Sequence, residues 1–99
     1  RLNRSEAYKL ELGHLAERYI PTQALVAING NSNPQELYFL GRSGWNLSDD
    51  TLRQKHVVHD LTAQGCSYLV VNKRTLSNLP DYGKIIYDGV DYQIIQLKK

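Results

Sequence analysis

Five consecutive apolar residues, Ala24-Leu25-Val26-Ala27-Ile28, run straight into six small or polar ones, Asn29-Gly30-Asn31-Ser32-Asn33-Pro34. An unbroken apolar run of this length, with no alternation, is what a strand covered on both faces requires, as in a parallel sheet. The polar run after it suits a strand-to-helix loop, with Asn33 as helix cap and Pro34 in the first turn. In an open α/β sheet, ligands usually sit at this carboxyl end of a strand. The loop is therefore the first place to look for function.

The chain of 99 residues has room for a single core, so residues 1–99 are read as one domain. Its net charge of +2 comes from basic and acidic side chains that are interspersed rather than clustered. Such a distribution gives no strong field for a nucleic-acid backbone, and neither a basic stripe nor a recognition motif is present, so no nucleic-acid partner is expected. Lys98-Lys99 is a pair, not a polybasic tail. The lone Cys66 has no partner for an internal disulfide and reads as a small buried hydrophobe ahead of the apolar run Tyr68 to Val71. No apolar segment approaches the roughly 20 residues that cross a bilayer, and no signal peptide is visible. The sequence begins at Arg1 and contains no Met, which reads as a processed protein or a piece excised from a longer one.

The periodicities give the remaining elements. Tyr8, Leu12, Leu15, Ala16 and Tyr19 mark one face of a helix over Ser5 to Ile20, ended by Pro21. A second helix of about two turns starts at Pro34, with Glu36 completing a capping-box-like pattern, Leu37, Phe39 and Leu40 as apolar contacts and Gly41 as its stop. Gly44 to Leu47 reads as a short strand. Ser48 caps a third helix whose buried stripe is Leu52, Val57, Val58 and Leu61, terminated by Gly65. Tyr68 to Val71 is a strand as apolar as the first, residues 72–83 are a loop, and Asp88-Gly89 centres a hairpin over residues 84–97. The expected fold is a small layered α/β domain, two or three layers deep, with a mixed, largely parallel sheet and the order αβαβαβ followed by a C-terminal β-hairpin.

The ordering of Pro21, Ala24 to Gly30, Asn33-Pro34, Leu37-Tyr38, Arg42, Gly44-Trp45, Gly65, Tyr68 to Val71 and the hairpin resembles a known pattern. It is similar to the C-terminal soluble extracytoplasmic domain of integral-membrane glycosyltransferases that use polyprenyl-phosphate sugars, the protein mannosyltransferase and aminoarabinose transferase group. The likeness spans about Tyr8 to Leu97, and it lies in the order and spacing of the pieces rather than in any one of them. The resemblance implies a parent enzyme that transfers a sugar from a lipid-linked donor outside the cytoplasm, with an acidic base, and in some members a divalent metal, in its membrane part. This portion would be a non-catalytic accessory domain at the extracytoplasmic face, periplasmic where there are two membranes. Its partners would be the membrane part of the same polypeptide and, through it, a lipid-linked sugar or its acceptor. No catalytic residue and no cofactor is assigned to these residues themselves.

Five side chains are the ligand-binding candidates. Asn29, Asn31 and Asn33 could offer amides, and the loop its backbone N–H groups, to a phosphate or sugar. Arg42 and Trp45 could form a sugar platform, the indole stacking on a pyranose and the guanidinium pairing with an anion. Each has a structural counterpart: a tight strand-to-helix turn favours Asn and Gly for backbone reasons alone, Trp45 can pack under the sheet, and Arg42 can cap carbonyls at the end of the short helix. No phosphate-binding Gly-Lys-Ser/Thr or Gly-x-Gly-x-x-Gly motif is present. His56, His59 and Asp60 could share a helical face, but they lack His-Glu-x-x-His spacing and no metal is assigned to them; His14 is isolated. Asn3-Arg4-Ser5 and Asn46-Leu47-Ser48 match the N-glycosylation triplet. The alternative to the glycosyltransferase reading is a stand-alone α/β module binding a small polar or anionic ligand at the Asn29 to Asn33 loop. A His- or metal-dependent hydrolase has the least support.

Overall fold

A computed structural model describes residues 4–98, with side chains described from residue 7 onward. The first glycosylation triplet, at Asn3, and the last lysine of the Lys98-Lys99 pair lie outside them. The elements are α1 (Arg4–Tyr19), β1 (Leu25–Ile28), α2 (Gln35–Leu40), β2 (Ser43–Asn46), α3 (Asp49–Leu52), α4 (Lys55–Ala63), β3 (Cys66–Asn72), β4 (Gly83–Asp88) and β5 (Tyr92–Leu97). The five strands form one sheet in the order β2-β1-β3-β5-β4. β1 is parallel to both β2 and β3, while β3 to β5 and β5 to β4 are antiparallel. The expected mixed sheet is thus parallel at one end and closes in the C-terminal hairpin at the other.

The apolar run Ala24 to Ile28 supplies β1, flanked by β2 and β3, with Val26, Ala27 and Ile28 fully enclosed. Successive residues serve opposite faces of the sheet. Val26 and Ile28 join Leu12, Leu15, Ala16, Leu40, Val70 and Ile94 under α1 and α2. Ala27 joins Leu52, Val58, Leu61, Leu69 and Ile95 under α3 and α4. Helices therefore cover both sides, and the domain has three layers.

Two local expectations are corrected. The single helix after Ser48 is two, because Gln54 is extended (ψ 111°) between α3 and α4. In one straight helix Leu52 and Leu61 would lie about half a turn apart around the axis; the break lets both reach the same core. The hairpin closes through Gly89 to Asp91, with the Gly89 N–H donating to the Tyr92 carbonyl, rather than through a two-residue Asp88-Gly89 turn. Asp88 is instead engaged by Lys73 Nζ at 2.7 Å. Residues 73–82 form the expected loop between β3 and β4, and it packs closely, with Leu76 buried and Leu79 and Tyr82 set against the α3/α4 core. The Tyr82 hydroxyl donates to the Leu52 carbonyl at 2.6 Å.

Candidate functional site

The carboxyl ends of β1 and β3 converge on a polar network built around two carboxylates. Asn29, the residue after β1, has no exposed surface. Its Nδ2 donates to Asp49 Oδ1 (2.7 Å) and to the Asn72 carbonyl (3.1 Å), and its Oδ1 accepts the Asn72 N–H (2.6 Å). The side chain thereby continues the β1–β3 pairing one step past the last strand residue. Asp49 Oδ1 also accepts from Asn31 Nδ2 and Thr75 Oγ1, both at 3.1 Å. Partial burial pushes the Asp49 carboxyl up, but the hydrogen bonds from Asn29, Asn31 and Thr75, with the Arg53 charge, outweigh it and hold the group below its ordinary value.

The second carboxylate is Glu36. Instead of folding back to complete a capping box, it points inward and is 4% exposed. Its oxygens accept from Asn72 Nδ2 (3.2 and 3.3 Å), from Arg74 Nη2 (3.2 Å) and from the Tyr92 hydroxyl. Arg74 also lies over the Tyr8 ring, 4.0 Å from its centre. Burial, the hydrogen bond to Glu36 and the Glu36 charge together raise the Tyr92 phenol, which stays protonated and serves as a donor. Asn72 links the two halves, since its backbone meets Asn29 and its side chain meets Glu36. No buried side-chain nitrogen or oxygen among the described residues lacks a hydrogen-bond partner.

The five candidate residues are distributed as follows. Asn29 and Asn31 are brought together, and their amides are taken up by Asp49, Asn72 and the loop's own backbone. Asn31 carries a left-handed backbone (φ 57°). Asn33 stands one residue before the N-cap of α2, which is Pro34 rather than Asn33 as expected, because the helix starts one residue later, at Gln35; its Oδ1 accepts the Gln35 N–H at 3.0 Å. Asn46, the second glycosylation candidate, closes the same loop from β2, accepting the Gly30 N–H at 2.8 Å and donating to the Asn31 carbonyl. Arg42 donates to the carbonyls of Ala16, Ile20 and Pro21, and so caps the C-terminal end of α1 rather than the short helix alone; its fourth contact is the Gly41 carbonyl. Trp45 packs with the α3/α4 core, on the opposite side of the sheet from Arg42. The two do not share one platform.

Glu36, Asn72, Arg74 and Tyr92 were missed as a group. The local pattern around Glu36 points to a helix-capping acid, while Asn72 and Arg74 lie in or next to a stretch whose composition is that of a loop. His56, His59 and Asp60 are exposed on α4, and the described residues contain no group of three or more His, Cys, Asp or Glu side chains that could hold a metal. Burial pushes the Cys66 thiol up to about 11, which suits the packing role expected of it. Comparison with family models, with curated proteins and with solved structures gives no match for this chain.

Proposed function

We propose that this chain is an accessory α/β domain of an integral-membrane glycosyltransferase, held at the extracytoplasmic face. There it would help shape the access of a lipid-linked sugar or its acceptor to a catalytic centre elsewhere in the parent polypeptide. The observation that carries the reading is the order of motifs from Pro21 through the hairpin. The part those motifs play supports it. Asn29 joins β1 to β3, Asn33 accepts the first N–H of α2, Arg42 ties α1 to the entry of β2, and Gly44 lets β2 approach β1. These four residues of the resemblance thus join one element to another, a role that suits an accessory platform. No helix among the described residues is long and apolar enough to cross a membrane. In this reading the membrane segments, the catalytic acid and any divalent metal belong to other parts of the parent.

The reading frame upstream of Arg1 tests it directly. Several apolar segments of about 20 residues each are expected there. A frame with none would overturn the proposal.

A further inference from the structure

At the end of the sheet opposite the polar network, where β3 begins and β5 finishes, an open groove of about 970 Å³ runs between α4 and the segment leading into β4. One side of α4 lines it from end to end, at positions 55, 58, 59, 62 and 63. These follow the i, i+3, i+4, i+7, i+8 pattern of a single helix face, a length of about 13 Å. Val58, Cys66 and Leu97 form its floor and are almost fully enclosed, so the groove opens directly onto the α3/α4 core. Pro80 and Tyr82 make the far wall.

The rim is basic. Lys55, His59 and Lys98 border the groove against one carboxylate, Asp81. Asp81 is paired with Lys98 at 3.3 Å, with both side chains more than half exposed (66% and 78%), a pair that contributes little and can exchange partners. Lys55 has no ion-pair partner among the described residues. It also stands at the first residue of α4, where the helix's own positive end disfavours a cation unless an anion is near.

We propose that this groove binds a small amphiphilic anion, an alkyl-like apolar body lying along α4 with a single carboxylate held by the lysine rim. An apolar floor with a few polar groups at its mouth, in this range of volume, is the usual form of a small-molecule site. The proposal is independent of the glycosyltransferase reading, which concerns other residues.

Titrating the chain with decanoate while following amide chemical shifts tests it, with decanol as the neutral comparison. Saturable shifts confined to α4, Cys66, Ser67 and Leu97, with Kd on the order of 1 mM or tighter, are expected from decanoate and weaker ones from decanol. The surface double variant Lys55→Glu, Lys98→Glu should weaken decanoate by about tenfold and leave decanol unchanged. Ala63→Trp, at an exposed position on the groove wall, should block both. Equal affinity for acid and alcohol, or no saturable shift, would overturn the proposal. So would concentration-dependent broadening of these same amides without ligand, which would assign the groove to a second copy of the chain.

Discussion

The Tyr92 hydroxyl and the Glu36 carboxylate, 56 positions apart in the chain, are hydrogen-bonded at a point where both side chains are almost completely enclosed. The bond ties the first turn of α2 to the first residue of β5, and Arg74 bridges both groups from the turn after β3. A buried carboxylate is tolerated only with enough donors around it. Tyr92, Arg74 and Asn72 supply them.

Tyr92→Phe keeps the ring in the core and removes one donor from Glu36. The expected loss is about 1.5–3 kcal/mol of unfolding free energy, the range for a hydrogen bond to a charged group. Combined with Arg74→Gln it should be non-additive, by roughly 0.5–3 kcal/mol, because both residues act on the same oxygen. Urea titration of the two single variants and the double variant measures this. Strict additivity would mean that the three groups do not work as one network.

Asn29 uses both ends of its amide, so its two replacements separate donor from acceptor. Asn29→Ala removes the bridge between β1 and β3 and should cost about 2–3 kcal/mol. Asn29→Asp loses the donor to Asp49 and sets a second carboxylate against it, where the amide now sits at 2.7 Å. At neutral pH the Asp variant should be the less stable of the two; on acidification one carboxyl of the pair takes up a proton and the order should narrow or reverse. Denaturation midpoints at about pH 7, where both carboxyls are ionised, and at about pH 4, within the carboxylate range, decide it. An Asp variant that tracks the Ala variant at both would remove Asp49 from the network.

Asp49 and Glu11 should respond to pH in opposite directions. Asp49 is held below its ordinary value of 3.8, so its stabilising effect is present above that value and is lost as pH falls through the folded-state pKa. Glu11 is raised above 4.5 by burial and by the Asp91 charge, against the opposing charge of Arg74. Its contribution is therefore full below its unfolded value and is lost as pH rises through the folded one. Glu11→Gln should accordingly gain a small amount of stability at neutral pH, about 0.5 kcal/mol or less given its partial exposure, and nothing under acid conditions. Asp49→Asn should lose stability at neutral pH and converge on the parent chain in acid. Thermal unfolding across the acid range reads both slopes, and parallel curves for the two variants would contradict the assignment.

The parts of the fold legible in the sequence are those set by local pattern. The continuous apolar run, the Ser48 cap and the glycine terminators at Gly41 and Gly65 act within a few residues of themselves, and each is found in place. Where a residue's role is decided by a distant partner, local pattern misleads. Glu36 sits where a capping acid would, yet Tyr92 and Arg74 draw it inward. Leu52 matched a helical stripe, yet reaching the Leu61 core required a break at Gln54. The polar run places Asn29 and Asn31 at the carboxyl end of β1, but the network they join also depends on Asn72, Arg74 and Tyr92, which come together only when β3 and β5 pair.

Gly44 and Gly41 lie three residues apart, both with positive φ (153° and 72°), and should respond very differently to Ala. At Gly41 a methyl group would meet nothing within 4 Å, so only the left-handed backbone opposes it, at about 1 kcal/mol. At Gly44 the methyl would fall 1.7 Å from the Val26 carbonyl oxygen, inside the β1–β2 pairing itself. Backbone cannot step aside as a flexible side chain can, so β2 must separate from β1 or the whole sheet must yield; the expected cost is at least about 3 kcal/mol. The single tryptophan reports which occurs, because Trp45 is the next residue and packs with the α3/α4 core. Gly44→Ala should shift its emission to the red under native conditions and speed amide exchange at Val26 to Ile28, while Gly41→Ala should leave both near those of the parent chain. If the two variants prove equally stable, close approach of β1 and β2 is not what requires a glycine at this position.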